Sequence, residues 1–146
     1  MSTISERLKV LIEAKTGSTR RHKEMEELTS LPAALWKAWW HGKQRPNEEM
    51  LQAVAQSWPE YAFWLVTGID DLAHGHNSPL KPLKWPRTAA ADYFKKSLEV
   101  SRFAAQHPEP ENDEHTRMEW MLLMHDLHMR GEARSAQEAT ILKLEK

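Results

Sequence analysis

Apolar residues in the first part of the chain recur at the three- and four-residue spacing that amphipathic helices require. Ile4, Leu8, Leu11 and Ile12 form the first such stripe. Gly17 follows the stripe and is a typical helix-ending residue. The pattern predicts a first helix that buries these four apolar side chains.

Four further helical patterns follow before residue 69. The second has Ser18 or Thr19 as a candidate N-cap, and the third has Pro32 in its first turn. The fourth begins at Asn47, and the fifth, over residues 61–66, is closed by Thr67 and Gly68. The residues expected to face inward from helices two to four are Met25, Leu28, Leu35, Trp36, Trp39, Met50, Leu51, Val54 and Ala55.

The second part of the chain begins with an irregular segment. Residues 74–86 contain three prolines and a glycine, which indicates a linker over residues 70–87. Three helical stretches are then predicted, at Thr88–Ala105, Glu114–Met129 and Ala133–Leu144, with Asn112 or Asp113 as the N-cap of the second. No stretch alternates apolar and polar residues with the period of a strand, so the chain is predicted to be all-α.

Composition narrows the possible functions. The 146-residue chain has no cysteine, which excludes disulfides, thiolate metal ligands and cysteine catalysis. Its longest apolar run, residues 61–66, is far shorter than the roughly 20 residues of a membrane span, and its first residues lack the apolar stretch of a signal peptide. A soluble cytoplasmic protein is therefore expected. Without a phosphate loop, a nucleophile elbow or a dinucleotide fingerprint, we expect neither an enzyme nor a cofactor.

Charge is informative locally rather than globally. The formal net charge is −1, so no overall basic field indicates a nucleic-acid partner. However, no acidic residue occurs from position 28 to position 47, where Lys37, His41, Lys43 and Arg45 lie. Such a stretch is either an ordinary solvated surface or a face that binds phosphate.

Two segments carry a family resemblance. The first runs Glu-Leu-Thr-Ser-Leu-Pro-Ala-Ala-Leu-Trp-Lys-Ala-Trp-Trp-His-Gly-Lys-Gln-Arg-Pro-Asn over residues 27–47, and the second runs Tyr-Ala-Phe-Trp-Leu-Val-Thr-Gly over residues 61–68. Gly42, Lys43 and Pro46 fit a Gly-Lys-x-x-Pro pattern, and the second segment is similar to a closing Trp-Leu-Leu-Thr-Gly. Residues 3–69 thus resemble the lambda-repressor-like (xenobiotic-response-element type) helix-turn-helix family. The resemblance implies a five-helix DNA-binding domain over residues 1–69, with its third helix in the major groove of double-stranded DNA.

The resemblance also implies a set of site residues. The implied base-reading residues are Pro32, Ala33, Ala34, Lys37 and Ala38. The implied phosphate-binding residues are Arg20, Arg21, His22, Lys23, Trp40, His41, Lys43 and Arg45. Among the base readers only Lys37 can donate a hydrogen bond, most naturally to guanine O6 or N7.

The sequence departs from the family pattern in ways that leave alternatives open. Because three of the five implied base readers are alanines, specificity could come from thymine methyls or from DNA shape, or the helix could serve a protein contact. Glu26 stands where relatives place a small residue between helices two and three, and the connection between helices one and two is longer than usual. Trp40 could stack on the sugar–phosphate backbone or cover the linker.

The segment from Met118 to Met129 leaves almost no polar face. Such a helix is either buried on all sides or shared with a partner, and its methionines would also suit a promiscuous binding groove. We expect the helical region over residues 88–146 to form a homodimer; the competing expectation is that the helix packs on the N-terminal domain. Neither His125 with His128 nor His74 with His76 supplies the three or four ligands of a zinc site, so no metal is expected. A ligand- or metal-sensing regulator that uses His125 and His128 is a further alternative.

These features together predict a sequence-specific transcriptional regulator of the bacterial or prophage repressor type. It would bind a palindromic operator in double-stranded DNA as a homodimer. The alternative is a helix-turn-helix fold reused as a protein–protein interaction module, with a protein partner instead of DNA.

Overall fold

The computed structural model describes residues 2–80, 85 and 87–145. Within these residues the chain folds into α-helices without any β-strand, apart from one isolated bridge between Asp71 and His76. The all-α prediction is therefore confirmed. The helices are α1 (Ile4–Lys15), α2 (Arg21–Thr29), α3 (Ala33–Trp40), α4 (Glu48–Ser57), α5 (Ala62–Thr67), α6 (Thr88–Gln106) and α7 (Glu114–Leu144). Among the described residues, no helix is both long enough and apolar enough to traverse a lipid bilayer.

The chain divides into two compact units. The first lies within residues 1–70 and 77–81 and contains α1 to α5. The second lies within residues 71–76 and 82–146 and contains α6 and α7. Residues 71–76, which the sequence analysis assigns to the linker, thus belong to the second unit, whereas Lys81–Lys84 and Pro86 of that linker lie outside the described residues.

The first unit has a single apolar core to which every one of its five α-helices contributes. The fully or almost fully buried core residues are Leu8, Leu11, Ile12, Met25, Trp36, Trp39, Met50, Val54, Trp64 and Leu65. Most of the predicted inward positions are confirmed, but Leu28 is 45% exposed, so its predicted burial is wrong. Met25 is the buried residue of α2.

Helix ends in the first unit follow side-chain chemistry. Thr3 and Glu6 form a capping box at the start of α1, and Asn47 Oδ1 accepts a hydrogen bond from Met50 N at 2.9 Å at the start of α4. The predicted cap of α2 by Ser18 or Thr19 is wrong, because the N-cap position falls on Arg20 and has no side-chain hydrogen bond. Pro32 occupies the N-cap position of α3, one residue before the first turn in which it was predicted.

The second unit is built on a pair of packed helices. Helix α7 runs without interruption through 31 residues, so the predicted separation into two helices after Met129 is wrong. Gly131 does not end the helix but faces α6: a Cβ atom at this position would lie 3.2 Å from Cε2 of Tyr93. The glycine therefore permits close helix packing. Asp113 is the N-cap of α7, as predicted.

The start of α6 depends on side chains of α7. Gln137 Oε1 accepts a hydrogen bond from Ala89 N at 3.0 Å, and Arg87 forms an ion pair with Glu138 at 2.8 Å. Residues 71–76 pack against the same helix through Gly75, which has φ +81°. A Cβ atom on Gly75 would lie 2.6 Å from the carbonyl oxygen of Ala90, so only glycine fits there.

Candidate nucleic-acid interface

Helices α2 and α3 are joined by the three residues 30–32, and the direction of α3 is fixed by its tryptophans. Ser30 ends α2 in the left-handed conformation with φ +64°. Trp36 is buried and donates from Nε1 to Thr29 Oγ1 at 3.3 Å, while Trp39 donates from Nε1 to Ser5 Oγ at 2.9 Å. With both indoles held inward, the opposite side of α3 faces solvent.

The solvent-facing side of α3 carries most of the implied base readers. Ala34 and Lys37 are exposed, Ala33 and Ala38 are half-buried, and Pro32 is exposed at the N-cap. The side chain of Lys37 makes no hydrogen bond or ion pair among the described residues. The solvent-facing side of α3 therefore consists of small apolar side chains around the unpaired ammonium group of Lys37.

The loop after α3 presents two further cations. His41 and Gly42 end the helix, and φ +76° at Gly42 lets Lys43 N donate back to Ala38 O at 2.9 Å. Lys43 and Arg45 follow as exposed residues, and their side chains have no partner in the described parts of the chain. Together with Lys37 they form what we call the α3 cation group: Lys37, Lys43 and Arg45.

The cations of α2 differ, because two of them are already paired. Arg20 lies 3.2 Å from Glu27, and Lys23 lies 2.9 Å from Glu26. The hydrogen bond between Lys23 and Glu26 raises the pKa of Lys23 above its ordinary value and is the largest cause of the lowered pKa of Glu26. The positive charge that the sequence places on α2 is thus partly neutralised within the helix.

Glu26 also explains one departure from the family pattern. Its Oε1 atom accepts a hydrogen bond from Ala33 N at 3.4 Å, the second cause of its lowered pKa. Ala33 is the first residue of α3, so the carboxylate occupies the N-terminus of this helix, where unpaired N–H groups attract negative charge. This helix end is therefore already satisfied by a side chain and is a poorer site for phosphate.

Trp40 lies at the centre of a cationic cluster. Arg21 Cζ is 4.5 Å and Lys9 Nζ is 4.7 Å from the centroid of its half-buried ring system. His22 meets the same indole edge-on at 5.9 Å and lies 6.3 Å from His41. The indole of α3 thus contacts side chains of both α1 and α2.

Two details of this cluster escape sequence reasoning. Lys9 is absent from the implied phosphate set, because nothing in its spacing distinguishes an exposed lysine of α1 from a solvated one. The pKa of His22 is lowered, first by burial and then by the positive charges of His41, Arg21 and Lys37. This imidazole therefore binds a proton less readily than a free histidine does.

His74, His115 and His128 each pair with an acidic side chain. His128 Nε2 lies 3.1 Å from Glu132, and His74 Nδ1 lies 2.8 Å from Asp71. Within the described residues, no three histidine, aspartate or glutamate side chains are grouped closely enough to hold a metal ion.

Comparison with known proteins adds no relative. No family model, no curated protein and no solved structure matches the chain significantly.

Proposed function

We propose that this protein is a sequence-specific double-stranded DNA-binding regulator of transcription, with α2 and α3 as its helix-turn-helix within a five-helix domain. The observation that carries the proposal is the α3 cation group. Lys37, Lys43 and Arg45 lie on the solvent-facing side of α3 and in the loop after it, within a stretch that has no acidic residue. Cationic side chains that have no partner within the protein, on and beside the exposed side of a helix, can bind the phosphates and base edges of a duplex.

The dimensions of α3 support this proposal. A helix with its side chains is about 10–12 Å in diameter, and a major groove about 12 Å wide admits it. Small side chains at Ala33, Ala34 and Ala38 let the backbone approach the bases closely. Lys37 then donates to guanine O6 or N7, while Lys43 and Arg45 hold phosphates and fix the position of the helix.

A protein-interaction module is the second candidate, and specific observations favour it. Glu26 occupies the N-terminus of α3, and the pairs Arg20–Glu27 and Lys23–Glu26 reduce the positive charge of α2. An alanine-rich helix surface with one lysine also suits an apolar groove on another protein. The two candidates differ in salt dependence, because only DNA binding releases the counter-ions of a duplex.

The first experiment is a salt titration of binding to duplexes from a genomic binding-site selection. Lys43→Ala and Arg45→Ala should each weaken binding to specific and random duplexes alike, and each should reduce the slope of log K against log salt by about one. Lys143→Ala is the matched control, because it removes the same charge from an exposed site on α7. Equal effects of all three variants, or no binding at low salt, would favour the protein-interaction module.

The second experiment separates base reading from phosphate binding. Lys37→Ala should relax the preference at one base position and cost roughly 1–3 kcal/mol on the preferred base, with a much smaller loss on random duplex. Lys43→Ala should not change the preference at any position. If Lys37→Ala and Lys43→Ala reduced specific and random binding in the same proportion, Lys37 would not be a base reader.

A further inference from the structure

Several large apolar side chains of α7 between Met118 and Met129 are exposed. Trp120 stacks on Phe103 of α6 with ring centroids 6.0 Å apart, which fixes the packed side of the helix. Outside this contact Met118 is 56%, Leu122 63% and Met129 49% exposed, and Leu122 also borders a groove that Phe103 lines. We call these residues, together with Met121 and His125, the outer face of α7.

We infer that a second copy of this chain covers the outer face of α7, with the two α7 helices packed antiparallel about a two-fold axis near His125. The first support for this inference is the size of the face. Its exposed apolar side chains present on the order of 500 Å², as much as the largest patch on a typical monomer. Two such faces in contact remove about 1,000 Å² from water, which is the lower limit for a biological interface.

The second support is that the face complements itself. Its bulky residues lie between positions 118 and 129, whereas exposed Ala133, Ala136 and Ala139 continue the same side of the helix. An antiparallel axis midway between Met118 and Ala133 is also midway between Leu122 and Met129. This symmetry places Met118 of one copy against the small Ala133 of the other at each end of the contact. Near the centre it places Leu122 against Met129, so that apolar side chains fill the space between the helices.

The biological role of this dimer rests on the proposed function. A single helix-turn-helix contacts one half-site, and two half-sites one helical turn apart, about 34–36 Å, need a two-fold symmetric protein. Nevertheless, the association itself is independent of DNA and can be measured without it.

The first test is analytical ultracentrifugation of the full chain across micromolar concentrations without DNA. The wild type should sediment at twice 17.0 kDa. Leu122→Glu combined with Met129→Glu should raise the dimer dissociation constant roughly 100-fold or more, because the symmetry places four charges in the apolar contact. Leu142→Glu is the matched control: Leu142 is 58% exposed on the same helix but lies outside the outer face.

Circular dichroism of each variant separates a lost interface from a lost fold, because the glutamates stand at exposed helical positions and should preserve the helix signal. A wild type that remains at 17.0 kDa would overturn the inference. So would a dimer that Leu142→Glu weakens as much as the double variant does. Dimers that fail to bind any duplex would instead refute the proposed function and leave the inference intact.

The second test determines the direction of packing. The chain has no cysteine, so single cysteines give unambiguous cross-links. A mixture of Met118→Cys and Ala133→Cys chains, treated with a short bismaleimide, should yield the mixed dimer by intact mass, and neither variant alone should cross-link efficiently. Dimers formed by Met118→Cys alone would overturn the antiparallel arrangement.

Discussion

A buried arginine holds the last helix of the first unit in place. Arg7 in α1 is 6% exposed, and its guanidinium donates from Nε to Leu65 O at 2.9 Å and from Nη2 to Val66 O at 3.1 Å. The third donor, Nη1, contacts the carbonyl oxygen of Ser2. Both helical acceptors lie in the last turn of α5, where carbonyl groups have no hydrogen-bond partner within the helix. Arg7 therefore satisfies these carbonyls, as a C-cap does in other helices. We predict that Arg7→Met destabilises the first unit substantially.

The size of this effect follows from the hydrogen bonds to Leu65 and Val66. A hydrogen bond to a charged group contributes about 1.5–3 kcal/mol, and a buried group left without its partner loses the full amount. Leu65 is 1% exposed, so its carbonyl cannot regain water, whereas the carbonyl of Val66, a residue 64% exposed, can. Methionine retains the apolar stem of the side chain. The free energy of unfolding should therefore fall by about 2–4 kcal/mol, and Tm by roughly 10–30 °C.

Urea unfolding followed by tryptophan fluorescence measures this change, since five of the seven tryptophans belong to the first unit. Arg102→Met is the control, because Arg102 is exposed on α6 and has no partner among the described residues. Arg7→Lys should be intermediate, since an ammonium group cannot span the two carbonyls as the guanidinium fork does. A loss below about 1 kcal/mol for Arg7→Met would refute the reasoning.

Three further results are expected. Gly42→Ala should lower the free energy of unfolding by about 1–2 kcal/mol, because alanine is strained in the left-handed conformation. Gly75→Ala should lower it clearly more, because a Cβ atom there also overlaps the carbonyl of Ala90. Equal losses of stability in thermal unfolding would contradict the packing of residues 71–76. Asn47→Ala should lower the unfolding free energy by about 1 kcal/mol through loss of the α4 cap, measured by urea unfolding, with Asn47→Asp retaining most of it. Because the pKa of His22 is lowered in the fold, the unfolded chain binds its proton more readily. Stability should therefore fall as pH drops below about 6.5, and fall less in His22→Gln; identical pH profiles would exclude this contribution.

Much of the first unit could be predicted because its apolar spacing is regular. The stripe of Leu8, Leu11 and Ile12, the cap at Asn47 and the closing Gly68 all lie where local chemistry places them. Arg7 was missed because a charged residue is ordinarily assigned to solvent. Its position between Ile4 and Leu11 nevertheless falls on the inward stripe, and this spacing is the signal that could have identified it.

Three other features could not be predicted, because they depend on contacts distant in sequence or on side-chain rotamers. Gly131 is a helix-ending residue by local propensity, but its contact with Tyr93 makes it part of a continuous α7. The sequence gives the number of cationic residues in and before α2 but does not show which of them are neutralised. The ion pairs of Arg20 and Lys23 with glutamates depend on side-chain rotamers. The Trp40 cluster joins three helices, so no local pattern contains it.

The hydrogen bond between Gln137 and Ala89 has a consequence for how the protein is made. It joins residues 48 positions apart, and the ion pair between Arg87 and Glu138 joins residues 51 apart. The contacts of α6 therefore cannot close until the ribosome has synthesised most of α7, whereas the helices of the first unit are complete by residue 67. At about 5–20 residues per second, synthesis of the intervening segment takes several seconds. The first unit thus has time to fold before α7 is available to pack against α6. The nascent chain should therefore fold first in its N-terminal part.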